Sequence, residues 1–373
     1  MTKPSRPSAP RAPFQNTETS EGTPAVTREN KAKRVFIVGC RRSGTTWTML
    51  LLAHHPNVVA LQQIDFFRRL AHFGRWFDTR EAYGMRALTK ELGPKHEAED
   101  ESRGLHRIPL SNVVSSERYF EKVRPVAEDV YDRFAECNPD ALAVVEQTPE
   151  YVQVWREILA VFPDAYFLHI VRDPRSVFCS HRNAARSWAD PTRFSYDPIE
   201  VAGEWAQDVS RAREIAEKTP NYLELRYEDL RAEPNAGLTK IYDWLELPSS
   251  EGLVEEAVSA CSIDKMRKSS HAPKGFFRKG EIAGWRQELK PSDLRLLEFV
   301  AGDLMRDCGY QPENESTQMP WRLRMRLSRQ EARQNLARWA YESNSPLKRG
   351  ASSVLKSLPG VRRLLLRNLK RSA

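Results

Sequence analysis

The chain has 373 residues, 40% hydrophobic and 29% charged, with a formal net charge of +8; that suffices for one large α/β domain or two smaller ones, and no run approaches the roughly 20 apolar residues of a membrane-spanning helix. The basicity is local: Trp321 to Ala373 hold 14 Lys and Arg against Glu331 and Glu342, a net +12, which leaves about −4 for everything before them and gives a nucleic-acid partner for the main domain no electrostatic footing. Five scattered cysteines (Cys40, Cys137, Cys179, Cys261, Cys308), odd in number and without a CxxC pair, argue against a disulfide framework or a thiolate metal site and fit a reducing cytoplasm.

Residues 1–30, with Pro4, Pro7, Pro10, Pro13 and Pro24 among Ser, Thr, Arg and Glu and no apolar h-region, read as a flexible tail and not as a signal peptide. The first element is the apolar strand Val35 to Val38. It runs into Gly39-Cys40-Arg41-Arg42-Ser43-Gly44 and a helix from about Thr45 to Ala53, stopped by His54-His55-Pro56-Asn57. A turn of that kind aims backbone N–H groups and the positive end of a helix dipole at one point, which makes it a phosphate cradle. Gly39 and Gly44 keep the Walker A spacing, yet Thr45 stands where P-loop NTPases carry Lys. Val58 to Leu61 reads as a second strand, residues 66–137 as mostly helical, and Ala141 to Val145 as a third strand followed by a helix through Trp155 to Val161. Ala165 to Val171 is a fourth strand, broken at Asp173-Pro174 before a helix near Arg175, and Tyr222 to Leu225 a fifth. The alternation predicts an α/β fold: a P-loop NTPase-like three-layer sandwich whose central parallel sheet is covered by helices on both faces.

In such a sheet the ligand site lies at the carboxyl ends of the strands. Those ends are polar: Arg41, Arg42, Ser43, Thr45 and Thr46 after the first strand, Glu146, Gln147 and Thr148 after the third, Arg172, Asp173, Arg175, Ser176 and Ser180 after the fourth, Arg226 and Tyr227 after the fifth. A cradle beside a second Arg/Ser cluster suits a ligand phosphorylated at two separated points.

Taken together these residues resemble the sulfotransferases that use 3′-phosphoadenosine 5′-phosphosulfate (PAPS) as donor, in the style of the glycan-type and bacterial members. Arg42-Ser43-Gly44-Thr45-Thr46-Trp47 is similar to that family's 5′-phosphosulfate loop, with Arg41 just before it. Arg172 and Ser180, eight residues apart, resemble its 3′-phosphate pair, Tyr227 its adenosine-side tyrosine, and Arg278-Lys279-Gly280 with Trp285 its nucleotide-closing loop, although Gly284 sits one position late. The resemblance covers roughly residues 34 to 315. It implies a sulfotransferase domain over 31–315, PAPS as donor with PAP as product, no metal, and transfer of a sulfuryl group to an acceptor hydroxyl or amine; the motifs do not select the acceptor, for which Trp76 and Trp188 among arginines suit a carbohydrate, beside phenolic or lipid-linked alternatives.

It also implies roles. Arg42 would stabilise charge on the transferred group, as a permanently charged fork where many relatives have Lys. The proton acceptor is less defined: glycan-type relatives place a Glu where this chain has Gln63, so Asp65 is the substitute, with Glu146 in Glu146-Gln147-Thr148-Pro149-Glu150-Tyr151 as competitor and His181 behind them. Asp65 also reads as a helix N-cap before Phe66, and Glu146 as an ion-pair partner of a nearby Arg. Residues 316–373 form a basic, partly helical extension. Val354, Leu358, Val361, Leu365 and Leu369 at helical spacing among Lys and Arg suit either peripheral contact with an anionic membrane or docking on the core. A P-loop kinase, and a non-catalytic nucleotide- or glycan-binding protein, are the competing classes.

Overall fold

The computed structural model describes residues 31–78, 115–187, 194–262, 265–266 and 283–314, with 318, 320–321 and 324–325; within 66–78 side chains are described as far as His72. Among these residues β1 (Lys33–Val38), β2 (Val58–Gln62), β3 (Ala143–Gln147), β4 (Tyr166–Val171) and β5 (Tyr222–Arg226) form one sheet in the order β2-β3-β1-β4-β5, every pair parallel. Helices α1 (Thr45–Ala53), α2 (Phe66–Asp78), α3 (Ser116–Glu136), α4 (Trp155–Val161), α5 (Pro174–Ser187) and α6 (Pro198–Ala216) make or flank the crossovers. After β5 come α7 (Tyr227–Ala232), α8 (Pro234–Trp244), α9 (Glu251–Ala260), α10 (Trp285–Glu288) and α11 (Pro291–Asp307). The predicted α/β sandwich is the observed architecture.

β1 is central because it is apolar on both faces, as a strand covered twice must be. Val35 and Ile37 enter a core with Leu51 and Leu52 of α1, Leu238 and Ile241 of α8 and Val254 of α9. Phe36 and Val38 enter the opposite one, with Phe67, Tyr131, Ile158 and Phe167. Phe36 is the hub of the second core, edge-on to Phe67 at 5.5 Å between centroids and within 6.0 Å of Tyr131, Tyr151 and Phe167. A third core joins Val171 to Trp205 of α6 and Leu297 and Met305 of α11.

One boundary departs from expectation in a way that matters for the site. β3 begins two residues later than its apolar run suggests and extends through Glu146 and Gln147, which pair with Phe36 and Ile37 of β1 and with Leu61 and Gln62 of β2. Polar residues continue the strand because both neighbours still offer backbone partners there, and local side chains satisfy the carboxylate.

The start of α5, which carries Ser180, is tied down by a buried ion cluster. Arg175 donates to both oxygens of Asp173 (Nε 2.9 and 3.1 Å, Nη2 2.8 Å), to Glu298 of α11 (2.9 Å) and to the carbonyl of Gln311 (3.1 Å). Its guanidinium lies 3.9 Å over the Trp285 ring. Removing one member of such a cluster strands the others in low dielectric, so Arg175→Ala is expected to lower unfolding free energy by about 3–5 kcal/mol; a urea-denaturation midpoint within error of the parent would contradict this.

Candidate functional site

The β1–α1 turn is shaped by what surrounds it. Gly39 has φ 147°, and a Cβ there would lie 2.5 Å from the carbonyl oxygen of Ile170 on β4. Gly44, with φ 96° at the N-cap of α1, faces the Tyr227 ring so closely that a Cβ would enter it. Between them Arg42 has φ 71°, a left-handed conformation that a side-chain-bearing residue adopts at a cost of order 1 kcal/mol. Arg172, at the end of β4, holds that bend by donating Nη1 to the Arg42 carbonyl at 3.1 Å.

The second cluster converges on the same place. Ser180 accepts a hydrogen bond from Arg42 Nε at 3.0 Å, and the Arg172 guanidinium lies 4.3 Å over Tyr227. Tyr227 meets Trp47 edge-on at 5.9 Å; Trp47 donates Nε1 to the Cys261 carbonyl and carries Arg231 over its face at 4.7 Å. Residues 42, 47, 172, 180 and 227, scattered over 186 positions, are thus gathered at the carboxyl edge of the sheet. Two buried polar atoms there, Ser43 Oγ and Arg172 Nε, find no hydrogen-bond partner among the described residues, as fits a pocket made for an anionic ligand. Thr45 is buried and accepts from Gln147 Nε2 at 3.0 Å; Thr46 follows it in the first turn of α1. Arg278, Lys279 and Gly280 lie outside the described residues.

Arg41 contributes its backbone to the turn, while its guanidinium reaches away to Glu204 of α6 (2.7 Å) and Glu150 (3.8 Å). Beneath it lies a buried titratable group that no motif or spacing singles out. Asp208 of α6, beside Gln153 and Arg211, is pushed up to about 7, first by burial and then by the Glu204 charge. His181 is buried, and Arg41 O lies 3.4 Å from its Nε2, which therefore carries the hydrogen and leaves Nδ1 bare. Burial, first, lowers it to about 4, against the Glu204 charge, so it is neutral at pH 7. His169 sits in the core strand, its Nδ1 between Tyr222 OH (2.9 Å) and Glu224 (3.1 Å).

The two candidate carboxylates differ sharply. Asp65 immediately precedes α2, is 34% exposed and pairs with Arg68 at 3.2 Å. Glu146 is 0% exposed and has hydroxyl partners in place of the anticipated Arg: Tyr151 (2.6 Å) and Thr148 (3.0 Å) on Oε1, Tyr131 on Oε2. Burial raises it to about 7 despite those three donors, with the Asp65 charge adding to the rise. Tyr131 is another contributor that spacing does not reveal, since it lies on α3, 15 residues upstream.

The Sulfotransferase family profile matches residues 34–251, more than half of the chain. The chain belongs to this family. The matched span of the sulfotransferase holds every candidate site residue above except Arg278, Lys279 and Gly280. Similar proteins include cytosolic sulfotransferase 10 of Arabidopsis thaliana, 27% identical over 119 residues, 28% of this chain and 36% of that one. Stf3 of Mycobacterium bovis, an omega-hydroxy-beta-dihydromenaquinone-9 sulfotransferase, is 34% identical over 116 residues, 29% of this chain and 30% of that one. The chain spans about a third of the length of these relatives. Among solved structures, mouse sulfotransferase SULT7A1 complexed with PAP is similar at 15% identity over 74% of this chain and 86% of that one, with a TM-score of 0.46. No helix among the described residues is long and apolar enough to cross a membrane.

Asp208 gives the site's underside a pH signature. The folded protein keeps a proton there up to about pH 7, whereas the unfolded chain releases it near 3.8, so between these values the folded state binds more protons and stability falls as pH rises. Asp208→Asn removes that slope: its melting temperature, relative to the parent's, is expected to climb from pH 5 to pH 8. A constant difference across that range would refute the assignment.

Proposed function

We propose that this sulfotransferase transfers a sulfuryl group from PAPS to an acceptor hydroxyl or amine. The observation that carries the reading is the convergence of Arg42, Ser180 and Arg172 on one glycine-bounded turn, linked by bonds of 3.0 and 3.1 Å. The backbone N–H groups of Ser43 to Thr46 and the Ser43 hydroxyl would hold the 5′-phosphosulfate end. Arg172 and Ser180 would hold the 3′-phosphate, Trp47 and Tyr227 the nucleoside side, with Arg41 in the loop backbone and Arg278, Lys279 and Gly280 assigned by motif alone. The donor supplies an activated sulfuryl group, whose bond to the phosphate oxygen breaks as the acceptor oxygen or nitrogen bonds sulfur.

Each residue then has a physical task. Arg42, fixed through Ser180, presents a planar cation to the oxygens on which charge accumulates, and fixed donors of that kind need no reorganisation as the reaction proceeds. Asp65, the more exposed carboxylate, takes the acceptor's proton. Phe194, 5.9 Å from the Arg42 guanidinium, walls the acceptor side. We assign the acceptor to the carbohydrates or lipid-linked alcohols, and the protein to the cytoplasm. That no disulfide joins any of the five described cysteines supports a reducing compartment. We take the domain as 31–315; in the extension 316–373, Val354, Leu358, Val361, Leu365 and Leu369 at helical spacing among Lys and Arg support either contact with an anionic membrane or docking on the core.

Calorimetry with adenosine 3′,5′-bisphosphate is expected to show saturable binding that ATP with Mg²⁺ does not reproduce; no heat of binding would end the proposal. Labelled PAPS offered with N-acetyllactosamine, 2-naphthol and a long-chain alcohol in detergent is expected to label one acceptor class. In Arg42→Ala, transfer should fall by about 10²–10³-fold while bisphosphate binding persists; undiminished transfer would remove Arg42 from its role.

A further inference from the structure

A buried, fully hydrogen-bonded carboxylate next to a strained turn calls for a role other than proton transfer. Gln63 (φ 49°) and Asp65 (φ 58°) both adopt left-handed backbone, rare for residues with side chains and stable only where neighbours enforce it. The turn is clamped at both ends. On one side the Gln63 N–H donates to the Gln147 carbonyl at 2.9 Å. On the other the Phe67 N–H, one of the first-turn donors of α2 that lack a helical partner, donates to the Tyr151 hydroxyl at 3.1 Å. Tyr151 spends its one proton on Glu146, 2.6 Å away, which aims its lone pair at Phe67. Both clamps therefore originate at adjacent residues of β3, and Gln147 also reaches into the cradle through Thr45.

We infer that Glu146 is a positioning residue: through Tyr151 it fixes the first turn of α2, and with Gln147 it sets Asp65 at a constant distance from the phosphate cradle. The assignment rests on the reading of Asp65 as proton acceptor. The two residues divide the work that the sequence left open between them. Asp65, paired only at the surface with Arg68, keeps a third of its side chain exposed, whereas Glu146 is fully buried with both oxygens engaged by Tyr131, Thr148 and Tyr151. Glu146 holds the tyrosine without touching the substrate.

The test compares Tyr151→Phe, Glu146→Gln, their double variant and Asp65→Asn, using PAPS with the acceptor turned over fastest in the panel above. Positioning predicts that Tyr151→Phe and Glu146→Gln each lower kcat about ten-fold with donor KM little changed, and that the double variant falls no further. Both keep the parent's pH–rate profile, while Asp65→Asn loses its pH-dependent limb. Independently of any acceptor, the Phe67 amide should exchange with solvent about ten-fold faster in Tyr151→Phe, with the variant still folded by its melting curve. Unchanged Phe67 exchange overturns the clamp. A limb lost in Glu146→Gln but kept in Asp65→Asn overturns the assignment by making Glu146 the base. A limb kept in all variants removes Asp65 from its role while the exchange result still judges the clamp.

Discussion

The close approach of two backbones at the carboxyl edge of the sheet is the constraint on which the site depends. β1 and β4 are neighbours in register from Val35 to Val38, and beyond that register the Ile170 carbonyl occupies the space a side chain on Gly39 would need. The chain must leave the sheet there as a bare backbone, and it re-enters a helix at Gly44 under the Tyr227 ring, again with no room for a Cβ. Two glycines set the ends of the turn and Arg172 sets its middle. The bend at Arg42 thus follows from contacts made by the ends of β4 and β5, and a change in those strands would be felt first in the cradle.

Charge around this turn is handled by pairing wherever it is buried. Arg175 has Asp173 and Glu298, Arg41 has Glu204 and Glu150, and Glu224 has Arg213. Such pairs contribute little net stability, because desolvation offsets most of the attraction, but each is stiff: losing one partner leaves an uncompensated charge. Their value here is geometric. Arg175 fixes the helix that presents Ser180, and Arg41 fixes the loop to α6. Glu146 meets the same problem with hydroxyl donors, and burial still raises it to about 7 against them.

The five strands, the helix after the cradle and the polar strand ends were legible because they are local: apolar runs, glycine positions and breaks such as Asp173-Pro174 lie within a few residues of one another. The convergence of Arg42, Arg172, Ser180 and Tyr227 was legible through a rule of parallel sheets, that residues after different strands share one edge. What escaped depended on side-chain direction. Arg41 and Arg42 are adjacent and chemically identical, yet one turns to Glu204 and the other to Ser180, because the positive φ at Arg42 reverses the chain between them. The pattern of residues suggests an arginine beside Glu146 and ends the apolar run at Val145; the strand continues to Gln147, with Glu146 on its aromatic face, opposite in pleat to Gln147. Of the two tyrosines that bind Glu146, Tyr151 closes the motif that begins there, whereas Tyr131 is not marked by spacing.

Arginine at position 42 has a consequence for the proposed reaction. A lysine there can lend a proton as well as a charge, whereas a guanidinium stays protonated at any pH at which the protein is folded. Its Nε is committed to Ser180 and its face lies toward Phe194, so the guanidinium is held as a planar cation beside the cradle. Charge on the departing phosphate oxygen would then be met by electrostatic attraction and hydrogen bonding alone, and that oxygen leaves as an anion. The only proton that must move is the acceptor's. A single proton acceptor is sufficient for such a scheme, and in the proposed assignment to Asp65 its placement relative to the cradle would decide whether it meets the acceptor hydroxyl.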